Sequence, residues 1–229
     1  MKKIVLLIVL TFLSTVVSAQ ASLGFKGGYV FSDLDFGNNA GVPAARSHGR
    51  TTWQAALMLN VPLGVPGLYL EPNLGFVRKG AAFSGGPKLV GPGGAPGTGQ
   101  SLLLDYLELP VNAVYKFSLP FGKLAVGAGP YVAYGLAGRF DYVLENGSGT
   151  NATASRDVTF SKAYSNTSIN MERWDAGLNG MLSLEFNNYL VVGANYSYGL
   201  ANINRSNFGD LHNRYLGVTL GILLNREDY

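Results

Sequence analysis

The sequence predicts an all-β protein whose eight antiparallel strands run up and down around a closed barrel. Three observations lead to this fold class. Eight segments alternate apolar and polar residues with a period of two, which is typical of a β-strand whose faces meet different media. Each segment has about the 9–11 residues that a tilted strand needs to cross a bilayer. Tight turns alternate with long loops, as in a transmembrane barrel with short periplasmic turns and long extracellular loops.

The first four strands are predicted over residues 23–32, 53–61, 68–77 and 106–117. Their apolar rows consist of Leu23, Phe25, Tyr29 and Phe31 in the first, Trp53, Ala55, Leu57, Leu59 and Val61 in the second, Leu68, Leu70, Leu74 and Phe76 in the third, and Leu107, Leu109, Val111, Ala113, Tyr115 and Phe117 in the fourth. Glycine and polar or charged residues fill most of the positions between them. Because Pro110 removes one backbone donor from the fourth strand, we expect a local bulge there.

The last four strands are predicted over residues 124–136, 175–186, 190–200 and 215–224. Their apolar rows consist of Leu124, Val126, Ala128, Val132, Tyr134 and Leu136, then Ala176, Leu178, Leu182, Leu184 and Phe186, then Leu190, Val192, Ala194, Tyr196, Tyr198 and Leu200, and finally Leu216, Val218, Leu220, Ile222 and Leu224. Pro130 predicts a second bulge. Because a sheet in lipid must close on itself to pair every backbone group, the apolar rows are predicted to face lipid and the polar rows the lumen.

The connections between the strands alternate in length. Tight turns are predicted at residues 64–67, 118–122 and 187–188, and long loops at residues 33–51, 80–101, 138–171 and 201–212. In the third long loop, two β-prone pieces surround a glycine-rich tip. This pattern predicts a hairpin that projects beyond the membrane, with a flexible end near residues 146–154.

The N-terminus predicts export from the cytoplasm. A basic start, MKK, precedes an apolar segment at residues 4–13, and Val17 and Ala19 supply the small residues of a cleavage site. A retained anchor helix is disfavoured because the apolar run is shorter than the roughly 20 residues that a spanning helix needs. We therefore expect residues 1–19 to be a signal peptide for Sec-type export and residues 20–229 to form one outer-membrane β-barrel domain.

The composition excludes several classes of function. The chain has no cysteine, which rules out disulfides, thiolate nucleophiles and cysteine-ligated metals, and its only histidines are His48 and His212. Once Lys2 and Lys3 are removed with the signal peptide, 15 of the 17 basic residues remain against 14 acidic ones. The mature chain is thus nearly neutral, and we expect no nucleic-acid partner.

Aromatic residues gather at the two ends of the apolar rows. If the first strand runs from the periplasmic end toward the first long loop, one group lies at the outer rim and one at the inner rim. The outer group consists of Tyr29, Phe31, Trp53, Phe76, Tyr134, Tyr196 and Tyr198, and the inner group of Tyr115, Phe117 and Phe186. Because amphipathic rings concentrate at membrane–water interfaces, we expect these residues to form two aromatic belts.

Charged residues recur on the polar rows and are predicted to meet inside the barrel. They are Lys26, Glu71, Glu108, Lys116, Asp175 and Glu185, with Lys79 and Arg173 nearer the outer rim. Side chains can fill the interior of an eight-stranded barrel, and isolated buried charges cost several kcal/mol. We therefore expect a structural network of ion pairs that plugs the lumen.

Two catalytic arrangements are the alternatives to a structural network. Glu71 and Glu108 lie on neighbouring strands and are candidates for a carboxylate pair, but no nucleophile or metal ligand accompanies them. A lipid-modifying barrel enzyme needs a histidine that activates a serine near the rim. Ser47 and His48 are adjacent, but adjacent residues on an extended chain point apart. We therefore expect no catalytic residue, no cofactor and no metal site.

Five stretches carry a resemblance to a known family through their order and spacing. They are LEPNLGFVRKGA (70–81), YLELPVNAVYKF (106–117), VGAGPYVAYGL (126–136), DAGLNGMLSLEF (175–186) and NYSYGLANI (195–203). Together they resemble the PorT-like outer-membrane β-barrel family of the Bacteroidota. The resemblance implies a fold and a location, because most members of that family have no assigned activity and one branch serves protein secretion and gliding.

The expected function is that of a non-enzymatic outer-membrane β-barrel, structural or interacting through its extracellular loops, with a plugged polar lumen. A small porin or channel is the first alternative, and a lipid-modifying rim enzyme is the second. Expected partners are outer-membrane lipid and, during biogenesis, the barrel-assembly machinery. A surface or secretion-system protein is a further candidate partner.

Overall fold

A computed structural model describes residues 21–36, 46–84, 88–90, 96–145, 151–160, 170–205 and 210–225. The predicted signal peptide and residues 146–150 of the predicted flexible hairpin end lie outside the described residues. Residues 151–154, which the sequence assigns to the same flexible end, instead form part of a paired strand. No helix among the described residues is long and apolar enough to span a membrane.

Ten strands make up the described structure. They are β1 (Ser22–Phe36), β2 (Arg46–Pro62), β3 (Leu68–Ser84), β4 (Lys88–Val90), β5 (Pro96–Leu119), β6 (Gly122–Glu145), β7 (Asn151–Asp157), β8 (Trp174–Phe186), β9 (Leu190–Gly199) and β10 (Leu211–Leu223). Eight of them, β1, β2, β3, β5, β6, β8, β9 and β10, form one ring of antiparallel neighbours that is closed by the pairings of β1 with β10 and of β5 with β6. The predicted eight-stranded antiparallel barrel is confirmed.

The two ends of the barrel differ, as the alternation of connections predicts. At the turn end, short connections join β2 to β3, β5 to β6 and β8 to β9. Gly64 and Gly67 take positive φ angles of 75° and 80° in the first of these turns, and Tyr189 takes 70° in the third. At the loop end, β4 pairs with β5 and β7 pairs with β6, so the predicted hairpin in the third long loop is confirmed.

Several strands continue into segments that the sequence assigns to loops. β5 and β6 are each 24 residues long, about twice the length of the predicted strands. Leu136 of β6 is an extra residue in the ladder, because Tyr106 pairs with Gly135 and Asp105 pairs with Ala137. This bulge changes which residues of β6 point inward, and the period of two therefore breaks at the place where the predicted strand ends.

The bulges predicted at Pro110 and Pro130 are absent. Pro110 pairs with Tyr131, Pro130 pairs with Leu178, and the register on either side of both prolines is unchanged. A proline removes one donor from the ladder, but its fixed φ is compatible with an extended chain, so the ladder loses one hydrogen bond without a shift. The irregularities lie instead at Gly49/Gln54, Gly99/Ser101 and Asp105/Tyr106.

The barrel is inside-out relative to a soluble protein along the part that the sequence predicts to cross the membrane. The apolar rows lie on its outer surface, where Leu74, Leu107, Leu182 and Leu220 are all exposed. The buried residues at the same level are mainly polar and include Glu71, Asn73, Asn112 and Asn179. The largest buried apolar cluster lies nearer the loop end and includes Val30, Leu104, Phe140, Met171 and Ile203.

Candidate functional site

Lys79 of β3 lies at the centre of a buried cluster in the lumen. Its Nζ atom is 2.6 Å from Oε2 of Glu108 on β5 and 3.1 Å from Oδ2 of Asp175 on β8. The Lys79 side chain is 1% exposed, and neither carboxylate is more than 5% exposed. A buried ammonium needs such partners, because the loss of its hydration is offset only by close charges and hydrogen bonds.

Three tyrosines surround the same ammonium. The Lys79 Nζ atom is 5.0, 4.7 and 5.2 Å from the ring centroids of Tyr106, Tyr131 and Tyr215. The Tyr215 hydroxyl donates to Glu108 at 2.5 Å, and the Tyr131 hydroxyl and the Asn213 amide donate to Asp175. We call Lys79, Glu108, Asp175, Tyr106, Tyr131 and Tyr215 the Lys79 cluster. Its side chains reach into the lumen from β3, β5, β6, β8 and β10.

Two further ion pairs lie closer to the turn end. Nζ of Lys26 is 3.5 Å from Oε1 of Glu71, and the Lys26 side chain is 20% exposed. Nζ of Lys116 is 2.7 Å from Oε1 of Glu185 and 4.6 Å from the centroid of the Tyr69 ring. Seven of the eight charges that the sequence assigns to the lumen are therefore next to an opposite charge, with Glu108 and Asp175 sharing Lys79. Arg173 is the exception: its side chain is exposed and contacts Tyr134 of an outward row, so the prediction that it faces the lumen is wrong.

The structure does not bring Glu71 and Glu108 together as a carboxylate pair. Across the β3–β5 ladder, Glu71 is opposite Asn112, whereas Glu108 is opposite Gly75. Glu71 accepts a hydrogen bond from Asn73 at 3.0 Å and pairs with Lys26, while Glu108 belongs to the Lys79 cluster. The two carboxylates thus have different partners at different heights in the lumen.

Amide side chains fill the space between these charged groups. Asn112 donates to Asn179 at 3.2 Å, Asn179 donates to Ser197 at 2.7 Å, and Gln54 donates to Asn195 at 3.1 Å. A cavity of about 40 Å³ remains beside them, lined by Lys26, Asn73, Glu108 and Met181 among others. A polar cavity of this size accommodates water molecules and little else.

An apolar cluster covers the Lys79 cluster on the side of the loop end. Val158, Met171 and Ile203 come from the connections around β7, β8 and β9 and pack with inward residues such as Leu104 and Phe140. Backbone hydrogen bonds hold these segments: Val158 donates to Gly138 at 2.8 Å, and Ile203 donates to Leu211 at 2.9 Å. We call this apolar cluster the loop-end core.

Arginines are concentrated on the outside of the loop end. Arg78 forms a two-pronged ion pair with Asp105 at 2.6 and 2.8 Å, and Arg139 is 2.9 Å from Asp141. Arg214 pairs with Asp35, and Arg205 pairs with Glu172. Partial burial raises the pKa of the Glu172 carboxyl, but the hydrogen bond from Arg205 and its positive charge outweigh this effect, so the pKa lies below its ordinary value.

A model of one protein family covers most of this chain. The outer membrane protein beta-barrel domain matches residues 18–205. The chain belongs to this family. Its members are outer-membrane proteins, and the eight-stranded closed barrel described above is therefore an outer-membrane β-barrel.

Two solved structures are similar to this outer-membrane β-barrel at low sequence identity. Ail, the attachment invasion locus protein of Yersinia pestis, crystallised with the heparin analogue sucrose octasulfate, is 12% identical, with 89% of this chain and 99% of that chain covered and a TM-score of 0.40. Neisserial surface protein A is 10% identical, with coverages of 88% and 97% and a TM-score of 0.43. A comparison with curated proteins gives no match.

The aromatic residues that the sequence assigns to belts all lie on outward rows of the outer-membrane barrel. Trp53 stacks on Phe76 with 4.7 Å between ring centroids, and Tyr115 meets Phe117 edge-on at 4.8 Å. The others are Tyr29, Phe31, Tyr134, Phe186, Tyr196 and Tyr198. The sequence analysis does not identify two aromatic partners of these residues. Trp174 packs against Tyr134 with 5.0 Å between ring centroids, and the Phe121 ring centroid lies 6.3 Å from that of Phe186.

Ser47 and His212, which the sequence places in loops near the rim, both form hydrogen bonds with backbone carbonyl groups. The Ser47 hydroxyl donates to the Leu34 carbonyl oxygen at 3.0 Å. His212 contacts the Ala201 carbonyl oxygen through Nδ1, also at 3.0 Å. Among the described residues, no group of three or more His, Cys, Asp or Glu side chains is placed to hold a metal ion.

Sequence analysis does not identify Tyr106, Tyr215 and Asn213 as parts of the lumen site. Each lies on an inward row. Alternation from Glu108 to Tyr106, and from Leu211 to Asn213 and Tyr215, would have assigned all three residues to the lumen. Their role cannot be predicted from the sequence. A period of two shows which face of a strand a residue lies on, but it does not show which strand lies opposite across the lumen.

Proposed function

We propose that this outer-membrane β-barrel is a non-enzymatic surface protein with a closed lumen, which acts through its loop end. The observation that carries the proposal is the Lys79 cluster. Its ion pairs and three tyrosine rings converge from five strands and are buried from both ends of the barrel. An ion that crossed this level would have to separate buried Lys79 from two buried carboxylates, which costs several kcal/mol.

The loop-end core supports the same function by adding a second, apolar layer. Val158, Met171 and Ile203 are each less than 10% exposed and lie above the Lys79 cluster. The polar cavity on the other side has a volume of only about 40 Å³. Eight strands leave an interior that side chains can fill, in contrast to the roughly 16–18 strands of a porin.

A role at the surface is favoured over an enzyme. The carboxylates of the lumen form ion pairs with lysines, and the Ser47 hydroxyl donates to a backbone carbonyl group instead of to a catalytic base. β5, β6 and β7 extend well past the aromatic rows, so the loop end offers a folded surface for a partner. The PorT-like resemblance makes a surface or secretion-system protein the class of partner that we propose.

The proposed orientation follows from the two unlike ends. The tight turns face the periplasm and the long connections face outward, after Sec-type export and cleavage of residues 1–19. Insertion requires the barrel-assembly machinery, and the exposed apolar rows contact outer-membrane lipid. The chain needs no cofactor for this role.

Planar-bilayer recordings on refolded protein test the closed lumen. We expect the wild-type barrel to give no stable unitary current, because the Lys79 cluster closes the lumen. The matched comparison is the double variant Lys79→Ala with Tyr131→Ala, which removes the central ammonium and one ring. Stable and large currents from the wild-type protein would favour the channel alternative and overturn the proposal.

A further inference from the structure

Arg173 differs from four other arginines on the outside of the loop end. Arg78, Arg139, Arg205 and Arg214 each have a carboxylate within ion-pair distance. Arg173 has no such partner among the described residues and contacts aromatic rings instead. Its guanidinium carbon is 5.3 Å from the centroid of the Tyr134 ring and 5.6 Å from that of Phe160.

The surroundings of Arg173 hold its guanidinium in a fixed place. Nη1 donates to the Tyr134 hydroxyl at 2.8 Å, and the Arg173 carbonyl oxygen accepts a hydrogen bond from the backbone of Gly135 at 2.7 Å. A Cβ atom at Gly135 would lie 2.5 Å from the Phe160 ring, so a larger residue at this position would displace that ring. The site occupies a notch where β6 changes its partner from β8 to β7, between Tyr134 and Arg139.

The height of the notch relative to the membrane determines which molecules can bind there. Tyr134 belongs to the outward aromatic row, and the neighbouring Trp174 is 57% exposed and packs edge-on against Tyr134. Aromatic rings of this kind sit at the interface between lipid and water, so Arg173 lies at the height of the lipid headgroups. A guanidinium has five N–H donors, and only the donation to Tyr134 is made within the described structure.

We propose that Arg173, with Tyr134, Phe160 and Trp174, binds the phosphate of a phosphorylated glycolipid in the outer leaflet. The guanidinium fork matches a phosphate in geometry and in charge. The guanidinium contacts two rings and donates only to Tyr134, so its other N–H groups can reach a ligand, while the exposed Trp174 ring beside Tyr134 offers an apolar face for the sugar. The inference rests on the proposed orientation, in which the loop end faces outward.

Trp174 supplies a direct readout for this site. The chain has two tryptophans, so Trp53→Phe leaves Trp174 as the only one and retains an aromatic ring on Phe76. The protein is refolded in zwitterionic micelles and titrated with phosphorylated lipid A. We expect a saturable change in Trp174 emission, and we expect Arg173→Gln to weaken the apparent affinity by about tenfold or more.

Matched variants and ligands make the test specific. Arg78→Gln removes an arginine that lies on β3, away from the notch, and is paired with Asp105, and it should leave the affinity within about twofold. Tyr134→Phe removes the hydroxyl that orients Arg173 and should weaken binding even where Arg173→Gln fails to fold. Dephosphorylated lipid A should give no saturable change.

Three results would overturn the proposal. These are equal affinity of the Arg173→Gln and wild-type proteins, binding of inorganic phosphate as tight as that of lipid A, and binding of phosphatidylglycerol as tight as that of lipid A. The last two would indicate a free-anion site and a general anionic-lipid surface, respectively. The titration in micelles does not depend on conductance, so its failure is distinguishable from failure of the closed-lumen proposal.

Discussion

At the scale of single residues, Lys79 shows what the sequence reveals about the lumen and what it does not. A period of two places Lys79, Glu108 and Asp175 on inward rows, because one medium lies on each side of the wall. It does not reveal that Lys79 and Asp175, which are 96 residues apart, meet across the lumen at 3.1 Å. That contact depends on the strand order and the tilt of a closed barrel, which hydrophobic periodicity does not encode.

Removing the Lys79 ammonium should destabilise the barrel strongly. Lys79→Met keeps much of the side-chain volume but leaves Glu108 and Asp175 as buried carboxylates without a cation. We expect a loss of about 3–5 kcal/mol in the free energy of unfolding, measured by urea titration in lipid vesicles. Lys26→Met is the matched control and should cost less, because Lys26 is 20% exposed and 3.5 Å from its partner. Equal losses for the two variants would contradict a central role for Lys79.

At the scale of strands, the pattern of polarity inverts along β5 and β6. In β5, the inward residues Leu102, Leu104 and Tyr106 are apolar or aromatic near the loop end, whereas Glu108 and Asn112 face inward farther down. The outward row changes in the opposite sense, from Asp105 to Leu107 and Leu109. The medium outside changes from water to lipid, so the apolar side changes with it. A search for lipid-facing apolar rows therefore finds the lower half of these two strands and takes the upper half as loop.

This inversion of polarity predicts that a polar substitution on the inward face of the upper part of β6 destabilises the loop end. Phe140 is 4% exposed in the loop-end core and lies 6.4 Å from Phe83. Phe140→Ser should therefore lower the local stability of β6 and β7 by about 3–5 kcal/mol, with faster amide hydrogen exchange there. Exchange in β8 and β9, which contribute no residue to the loop-end core, should stay unchanged. The adjacent outward variant Arg139→Ser should have an effect within about 0.5 kcal/mol. Uniform loss of protection across the barrel would show that the loop-end core is not a separate unit.

At the scale of the whole molecule, the barrel combines two architectures along one axis. The turn end is a lipid-facing cylinder with a polar interior, and the loop end is an ordinary β-structure with an apolar interior. The sequence predicts the structure of the turn end correctly, because lipid on one side of the wall and polar groups on the other enforce alternation over every strand. The structure of the loop end depends on bulges at Leu136 and Gln100 and on segments such as Val158 and Ile203 that fold inward, none of which has a periodic signature.

The asymmetry of the two ends leads to a test of orientation in cells. Chymotrypsin cleaves after aromatic residues in unpaired backbone, and paired strands resist it. Added to intact cells, it should cut first within residues 138–171, the third long loop, whose sequence contains Phe160 and Tyr164. Phe121 lies in the tight turn between β5 and β6 and is exposed, so cleavage after Phe121 should require permeabilisation of the outer membrane. Cleavage after Phe121 in intact cells, with the third long loop spared, would place the tight turns outside and reverse the orientation on which the proposed surface function depends.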